Sequence, residues 1–312
     1  MFDQTSLRAL SRILGSVDAL RNIRAIYLML CTATAGGLAL GMAENALAAN
    51  HKLLGVLWFG ATITVAFYGI NAVGLMLMDQ ARGKPVRELG DALRDALACA
   101  HRGLLVLAAV ALPSILLLAL LAALMWLVRL PWLGAPLFAL LVPIGVLSLG
   151  LLALVGTVVV GPLTWPAVWD GASTAQVLRL LVEQTRHRLL MVALLVAAVS
   201  GLTAGIAAIV SFVVISGGRA TALMAVWLSG IPVLPEQLMA GLFGYGLRSF
   251  GAGGAPVASS SHLQAAMMGG GVVFALALVL PALVSLRGFC AVYLTLTQDH
   301  LPATEEAQAH AD

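Results

Sequence analysis

Charge is what this chain has least of. Only 10% of its 312 residues are Asp, Glu, Lys or Arg, against about 25% in ordinary soluble domains. With 61% hydrophobic residues, a soluble fold could not cover its own surface. Cysteine is nearly absent too. Cys31, Cys99 and Cys290 form no CxxC and no Cys/His spacing, so neither a disulfide framework nor a zinc site is indicated. The six histidines, His51, His101, His187, His262, His300 and His310, make no ligand pair at i,i+3 or i,i+4. No HExxH, GxSxG elbow or paired mid-depth carboxylates are present, so no catalytic, cofactor or metal residues are assigned. Basic residues are not interleaved with aromatics, so nucleic acid is not an expected partner.

What is present is apolar sequence in long runs. A membrane-spanning helix needs about 20 apolar residues, and helix is the form that satisfies its own backbone polar groups in lipid. Six segments qualify: 25–46, 53–78, 103–128, 133–163, 189–216 and 268–297. The expected fold is therefore an all-α polytopic transmembrane helical bundle of about six spans. Pro113, Pro143 and Pro281 predict kinks in three of them. The first apolar run is longer than the apolar region of a cleaved signal peptide, so it reads as a retained span. Residues 220–250 are broken by Gly230, Pro232, Pro235, Glu236 and Gly241. They read as short helices on the outer surface or dipping into it, with a seventh span as the alternative.

Lysine and arginine placement sets the expected orientation. Arg8, Arg12, Arg21 and Arg24 precede the first span. Arg82, Lys84, Arg87, Arg94 and Arg102 follow the second, and Arg179, Arg186 and Arg188 follow the fourth. The opposite side has only Lys52, Arg129, Arg219 and Arg248. Positive residues stay inside, which predicts a multi-pass protein of a bacterial inner (plasma) membrane with both termini cytoplasmic. Trp58, Trp126 and Trp132 then fall near the outer boundary, and Trp165 and Trp169 near the inner one. The expected organisation is a cytoplasmic amphipathic arm over 1–24, a transmembrane domain over 25–298 and a disordered tail over 299–312. In the arm, Leu7, Leu10, Leu14 and Val17 share a helical face.

The two long inner loops predict amphipathic surface helices. In the first, Val86, Leu89, Leu93, Ala96, Leu97 and Ala100 recur at helical spacing, with Arg87, Asp91, Arg94 and Asp95 opposite and Arg87–Asp91 at i,i+4. In the second, Ser173-x-x-Gln176 fits a capping box. Val177, Leu180 and Leu181 follow on one face, with Arg179–Glu183 at i,i+4. The loops also resemble each other. Each follows a span ending in Asp79 or Asp170, reaches Val86 or Val177 seven residues later, and ends in His-Arg. A parallel repeat over 63–128 and 150–215 is one reading, and chance similarity is the other. The expected contacts of these helices are Leu89, Leu93, Leu97, Arg87, Arg94, Arg179 and Arg186. They would touch anionic lipid at the cytoplasmic face, a membrane-protein partner or a second copy.

The run Gly161-Pro-Leu-Thr-Trp-Pro-Ala-Val-Trp-Asp-Gly, a surface helix ending in Arg-His-Arg, and the terminal Val292-Tyr-Leu-Thr-Leu-Thr-Gln-Asp are similar to a group of six-span bacterial membrane proteins. That group includes the membrane domain attached to some glycerophosphodiester phosphodiesterases. The catalytic domain of those enzymes has no counterpart in this sequence, so the resemblance implies an architecture rather than an activity.

Charges at mid-depth are costly and usually functional, and none is found at the centre of a span. Glu44 falls near the outer interface and Arg287 near the inner end of the sixth span. Each is either an interfacial anchor or part of a gate. Asn71 is the leading polar candidate at depth, bridging helices or lining a small cavity. Gly37-x-x-x-Gly41 and Gly201-x-x-x-Gly205 predict close helix contacts, within the chain or with a partner. Three functions follow as expectations. The first is a non-enzymatic membrane subunit or scaffold that binds a protein partner or organises lipid. The second is a low-coupling transporter or lipid-translocating protein. The third is an intramembrane enzyme.

Overall fold

The computed structural model describes residues 11–130, 134–229 and 261–298. These residues are nearly all helical, with no strand among them. Asn22 starts the first long helix, α1 (Ile23–Ala48), its side-chain Oδ1 accepting from the Ala25 N–H at 3.1 Å. This satisfies one of the donors that a helix start leaves open. Helices α2 (Lys52–Ala81), α3 (Leu89–Leu127) and α4 (Gly134–Val155) follow. A π turn at Gly156–Val160 joins α4 to α5 (Gly161–Trp169). Pro162 lacks an N–H and its ring crowds the carbonyl four residues back, which accounts for the widened turn ahead of it. Then come α6 (Thr174–His187), α7 (Leu189–Ser229) and α8 (Ser261–Gln298).

Among the described residues, six stretches are long and apolar enough to cross a membrane: Ile23–Ala48, Lys52–Ala81, Leu89–Leu127, Gly134–Trp169, Leu189–Leu228 and Ala275–Thr297. They leave large apolar side chains exposed, among them Leu53, Phe59, Leu112, Leu116, Leu147 and Phe212. Such surface is stable only where lipid is the solvent. The chain is an all-α, multi-pass integral membrane protein. Helix assignment runs unbroken through Pro113, Pro143 and Pro281.

Three helices are longer than expected. α7 continues past 216 to Ser229, so residues 220–229 belong to it, while 230–250 lie outside the described residues. α8 starts at Ser261 rather than 268. The largest correction is α3. The first surface helix and the third span form one helix of 39 residues, about 58 Å long at about 1.5 Å per residue. It cannot lie flat as a separate piece. No proline interrupts 86–112, and the one glycine near the expected break, Gly103, is buried against Trp165.

The chain forms two compact units, one of Met1–Ser16, Asn71–Val199 and Leu286–Asp312, the other of Val17–Ile70 and Ser200–Ser285. In the second unit, α1 buries Ala25, Leu28, Thr32, Gly36, Ala39, Ala43 and Ala46, a stripe of mostly small residues at spacings of three and four. Thr32 fits where a Cβ on Gly69 would be. The expected Gly37/Gly41 and Gly201/Gly205 contacts are not made among the described residues, since nothing lies within 4 Å of a Cβ built at any of the four. In the N-terminal arm, Leu7 and Leu10 lie outside the described residues, as does the tail 299–312. Leu14 and Val17 are exposed, and Ile13 and Ala19 are buried instead.

The first unit holds the densest core. Every residue from Asn71 to Asp79 is buried, as are Leu163, Thr164, Pro166 to Trp169 and the run from Cys290 to Leu296. Trp169 fills the space a side chain at Gly74 would need, and Val199 does the same at Gly288. The core therefore sits where α2, α5 and α8 end, and that is also where the polar groups gather.

Candidate functional site

α2 ends in the Asp79 carboxylate, and the chain turns through Gly83, whose φ of +67° suits glycine. Lys84 N–H donates to the Asp79 carbonyl at 2.9 Å and closes the turn. Arg87 then reaches back. Its Nε donates to Asp79 Oδ2 at 2.6 Å and its Nη2 to Asp79 Oδ1 at 2.8 Å, while Nη1 donates to Asp95 Oδ2 at 2.8 Å. The hydrogen bonds to Asp79 raise the Arg87 pKa further, with Asp95 adding to this against the opposing effect of burial. Arg87 precedes the helix, which starts at Leu89 with Glu88 in the cap position and no side-chain cap bond. The expected Arg87–Asp91 pair is thus replaced by a clamp on Asp79 and Asp95.

The second segment is built otherwise. α5 ends at Trp169, Asp170 takes the cap position, and Gly171 turns the chain at a φ of +93°. The capping box forms as expected. Ser173 Oγ accepts from Gln176 N–H at 3.5 Å, and Gln176 Oε1 accepts from Ser173 N–H at 2.8 Å. α6 buries Val177, Leu181 and Gln184, then stops. Arg188, at φ −134° and ψ 22°, separates it from α7.

Long-range polar contacts tie the helix ends together. Arg82, from the first segment, forms an ion pair with Asp170 of the second. Tyr293 of α8 donates its hydroxyl to the other oxygen of Asp170 at 3.0 Å. Trp169 Nε1 donates to Asn71 Oδ1 at 3.0 Å, bridging α5 and α2. Arg287 of α8 donates to the Gln80 carbonyl at 3.4 Å. Asn71 is therefore a buried helix bridge, and Arg287 an inward-facing contact of the helix ends. Trp165 and Trp169, expected as a boundary belt, point inward, one against Gly103 and the other into the Gly74 socket.

The other expected site residues are not gathered here. Glu44 is exposed near the end of α1. Arg94, Arg179 and Arg186 are exposed. On α3 the buried stripe is Ala92, Ala96, Ala100 and Gly103 rather than the leucines. Leu93 and Leu97 are 40% and 59% exposed, and Leu89 is half-buried. Small faces let helices approach closely, which leaves the larger leucines on the exposed side.

Sequence reasoning used Asp79, Asp170 and Trp169 as landmarks but missed Arg82 and Tyr293 as their partners. Trp169 and Asn71 lie 98 positions apart, and no local pattern links them.

Two openings flank the cluster. A cavity of about 450 Å³ is lined by Ala167, Asp170, Gln176, Val177, Leu180 and Tyr293, among others. A shallower groove of about 380 Å³ runs along Leu178, Arg179, Val182, Glu183, Arg186 and His187 of α6. Behind this face, Gln184 is fully buried with neither side-chain polar atom partnered among the described residues, and Thr164 Oγ1 is likewise unpartnered.

No family model, curated protein or solved structure matches the chain.

Proposed function

We propose that the chain is a non-enzymatic membrane subunit or scaffold that binds a protein partner or organises lipid through the exposed faces of α3 and α6. The observation that carries this reading is the surface of α3, where exposed Leu93 and Leu97 lie beside exposed Arg94. Exposed apolar side chains with a cationic one adjoining suit a partner's helix or the headgroups of an anionic bilayer. Arg179, Val182 and Arg186 on α6 offer the same combination. The polar cluster supports a fixed role. Both carboxylates are held by guanidinium groups, and Asn71 is occupied by Trp169.

The excess of Lys and Arg around the Asp79 and Asp170 ends favours an orientation with that end, and both termini, in the cytoplasm of a bacterial cell. Similarity to the membrane domain of some glycerophosphodiester phosphodiesterases supports the same architecture without their reaction. The test is native mass spectrometry of the chain released gently from its own membrane, comparing it with a Leu93→Ser, Leu97→Ser double variant. Retention of anionic lipid or of a stoichiometric partner is expected to fall about tenfold. Unchanged retention contradicts the proposal.

A low-coupling transporter or lipid translocator is the second reading. The π turn at Gly156–Val160 favours it, since such turns often occur at functional sites in helices. Flux into liposomes no greater than into empty vesicles would exclude it.

A further inference from the structure

The cavity beside Asp170 has a chemistry that the surface-helix reading does not use. Its wall carries one carboxylate, and that carboxylate has a guanidinium on one oxygen and a tyrosine hydroxyl on the other. A carboxylate accepts about four hydrogen bonds, so two acceptor positions on Asp170 stay open among the described residues. Arg82 pairs through Nη2 with Asp170 from outside the cavity lining. Gln176 turns its carbonyl oxygen to Ser173 and keeps its amide N–H₂. Ala167, Val177 and Leu180 supply an apolar wall. An anionic acceptor and an amide donor thus line one cavity, with Arg82 balancing the Asp170 charge from outside it.

Depth narrows the ligand further. Trp169 closes the apolar run Gly134–Trp169, and Tyr293 lies in the last turns of Ala275–Thr297. The ends of apolar spans coincide with the headgroup layer. A cavity of about 450 Å³ is within the range of small-ligand sites.

We propose that this cavity holds the headgroup of a zwitterionic phospholipid bearing a primary ammonium, with the ammonium on Asp170 and the phosphate on the Gln176 amide, both of which line it. The ammonium donates to the open positions of the carboxylate. A quaternary ammonium has no N–H to donate, and an anionic headgroup meets the Asp170 charge without compensation. Free phosphoethanolamine carries the same charged groups, but the apolar wall favours the form with a glycerol and acyl chains. Tyr293 is a positioning residue that orients the carboxylate. The proposal deepens the lipid-organising reading and rests on it.

The test uses the full chain in detergent and native mass spectrometry, with added phosphatidylethanolamine, phosphatidylcholine and phosphatidylglycerol of matched acyl chains. Phosphatidylethanolamine is expected to be retained at least about tenfold better than phosphatidylcholine. Asp170→Asn should abolish that preference, and Tyr293→Phe should weaken it several-fold. Equal retention of the two zwitterionic lipids by the unaltered chain overturns the proposal, whether or not the Asp170 variant folds. Binding of free phosphoethanolamine with no preference among intact lipids overturns the lipid assignment. Phosphatidylglycerol retention in the same spectra reports on the exposed faces of α3 and α6, so the two readings can fail separately.

Discussion

The segments after Asp79 and after Asp170 start from similar sequence and solve the same problem in different ways. Both must turn the chain at the end of a span and begin a new helix. The first does it with charge. Arg87 grips Asp79 and Asp95, the helix cap is bare, and the new helix runs straight on into the next span. The second does it with a capping box, ends its helix after 14 residues and starts the next span anew. The first buries a stripe of alanines, while the second buries Val177, Leu181 and an amide. Similar loops have thus produced a rigid extension of a span in one place and a separate helix in the other.

Substitutions can break that contrast, and the largest effect is expected at the charge clamp. Asp79→Ala leaves Arg87 with Asp95 alone. Removing one partner of a buried ion pair costs about 3–5 kcal/mol. Here the Arg87 side chain is 27% exposed and that of Asp79 11%, so about 2–3 kcal/mol is expected after screening. Thermal unfolding in detergent measures it. Ala96→Leu places a large side chain on a fully buried stripe and should destabilise by about 1–3 kcal/mol.

The matching change in the second segment should act in the opposite direction. Gln184→Leu removes a buried amide whose polar atoms have no partner among the described residues and should stabilise by about 1–2 kcal/mol. A lower unfolding temperature would instead mean that the amide is satisfied, for example by buried water. Smallest is the cap pair. Ser173→Ala should cost about 1 kcal/mol, while Glu88→Ala, at the equivalent position without a cap bond, should change stability by under about 0.5 kcal/mol.

What could be read from the sequence divides along physical lines. Spans were legible because a run of about 20 apolar residues matches the thickness of the hydrocarbon core. The capping box at Ser173 was legible because it is local. The face of α3 was not, because ranking Leu93 and Leu97 above Ala92 and Ala96 assumes water as the alternative to burial. Here small residues pack against neighbouring helices and the leucines stay outside. The break at Arg188 carries no glycine or proline to announce it, while the helix runs on through His101–Gly103 despite its glycine. Of the polar cluster, Asn71 could be picked out as one end of a bridge. Its partner Trp169, the Arg82–Asp170 pair and the Tyr293 contact join positions too far apart in sequence for any pattern to connect them.

The contrast between the two segments is most directly tested by amide hydrogen exchange on the chain in lipid nanodiscs. The account predicts that residues 89–103 are protected together with the rest of α3, because they belong to one helix. It predicts that residues 174–187 exchange as an independent unit, with a boundary at Arg188. Exchange of 89–103 as a separate, weakly protected segment, or protection of 174–187 in step with α7, would contradict it.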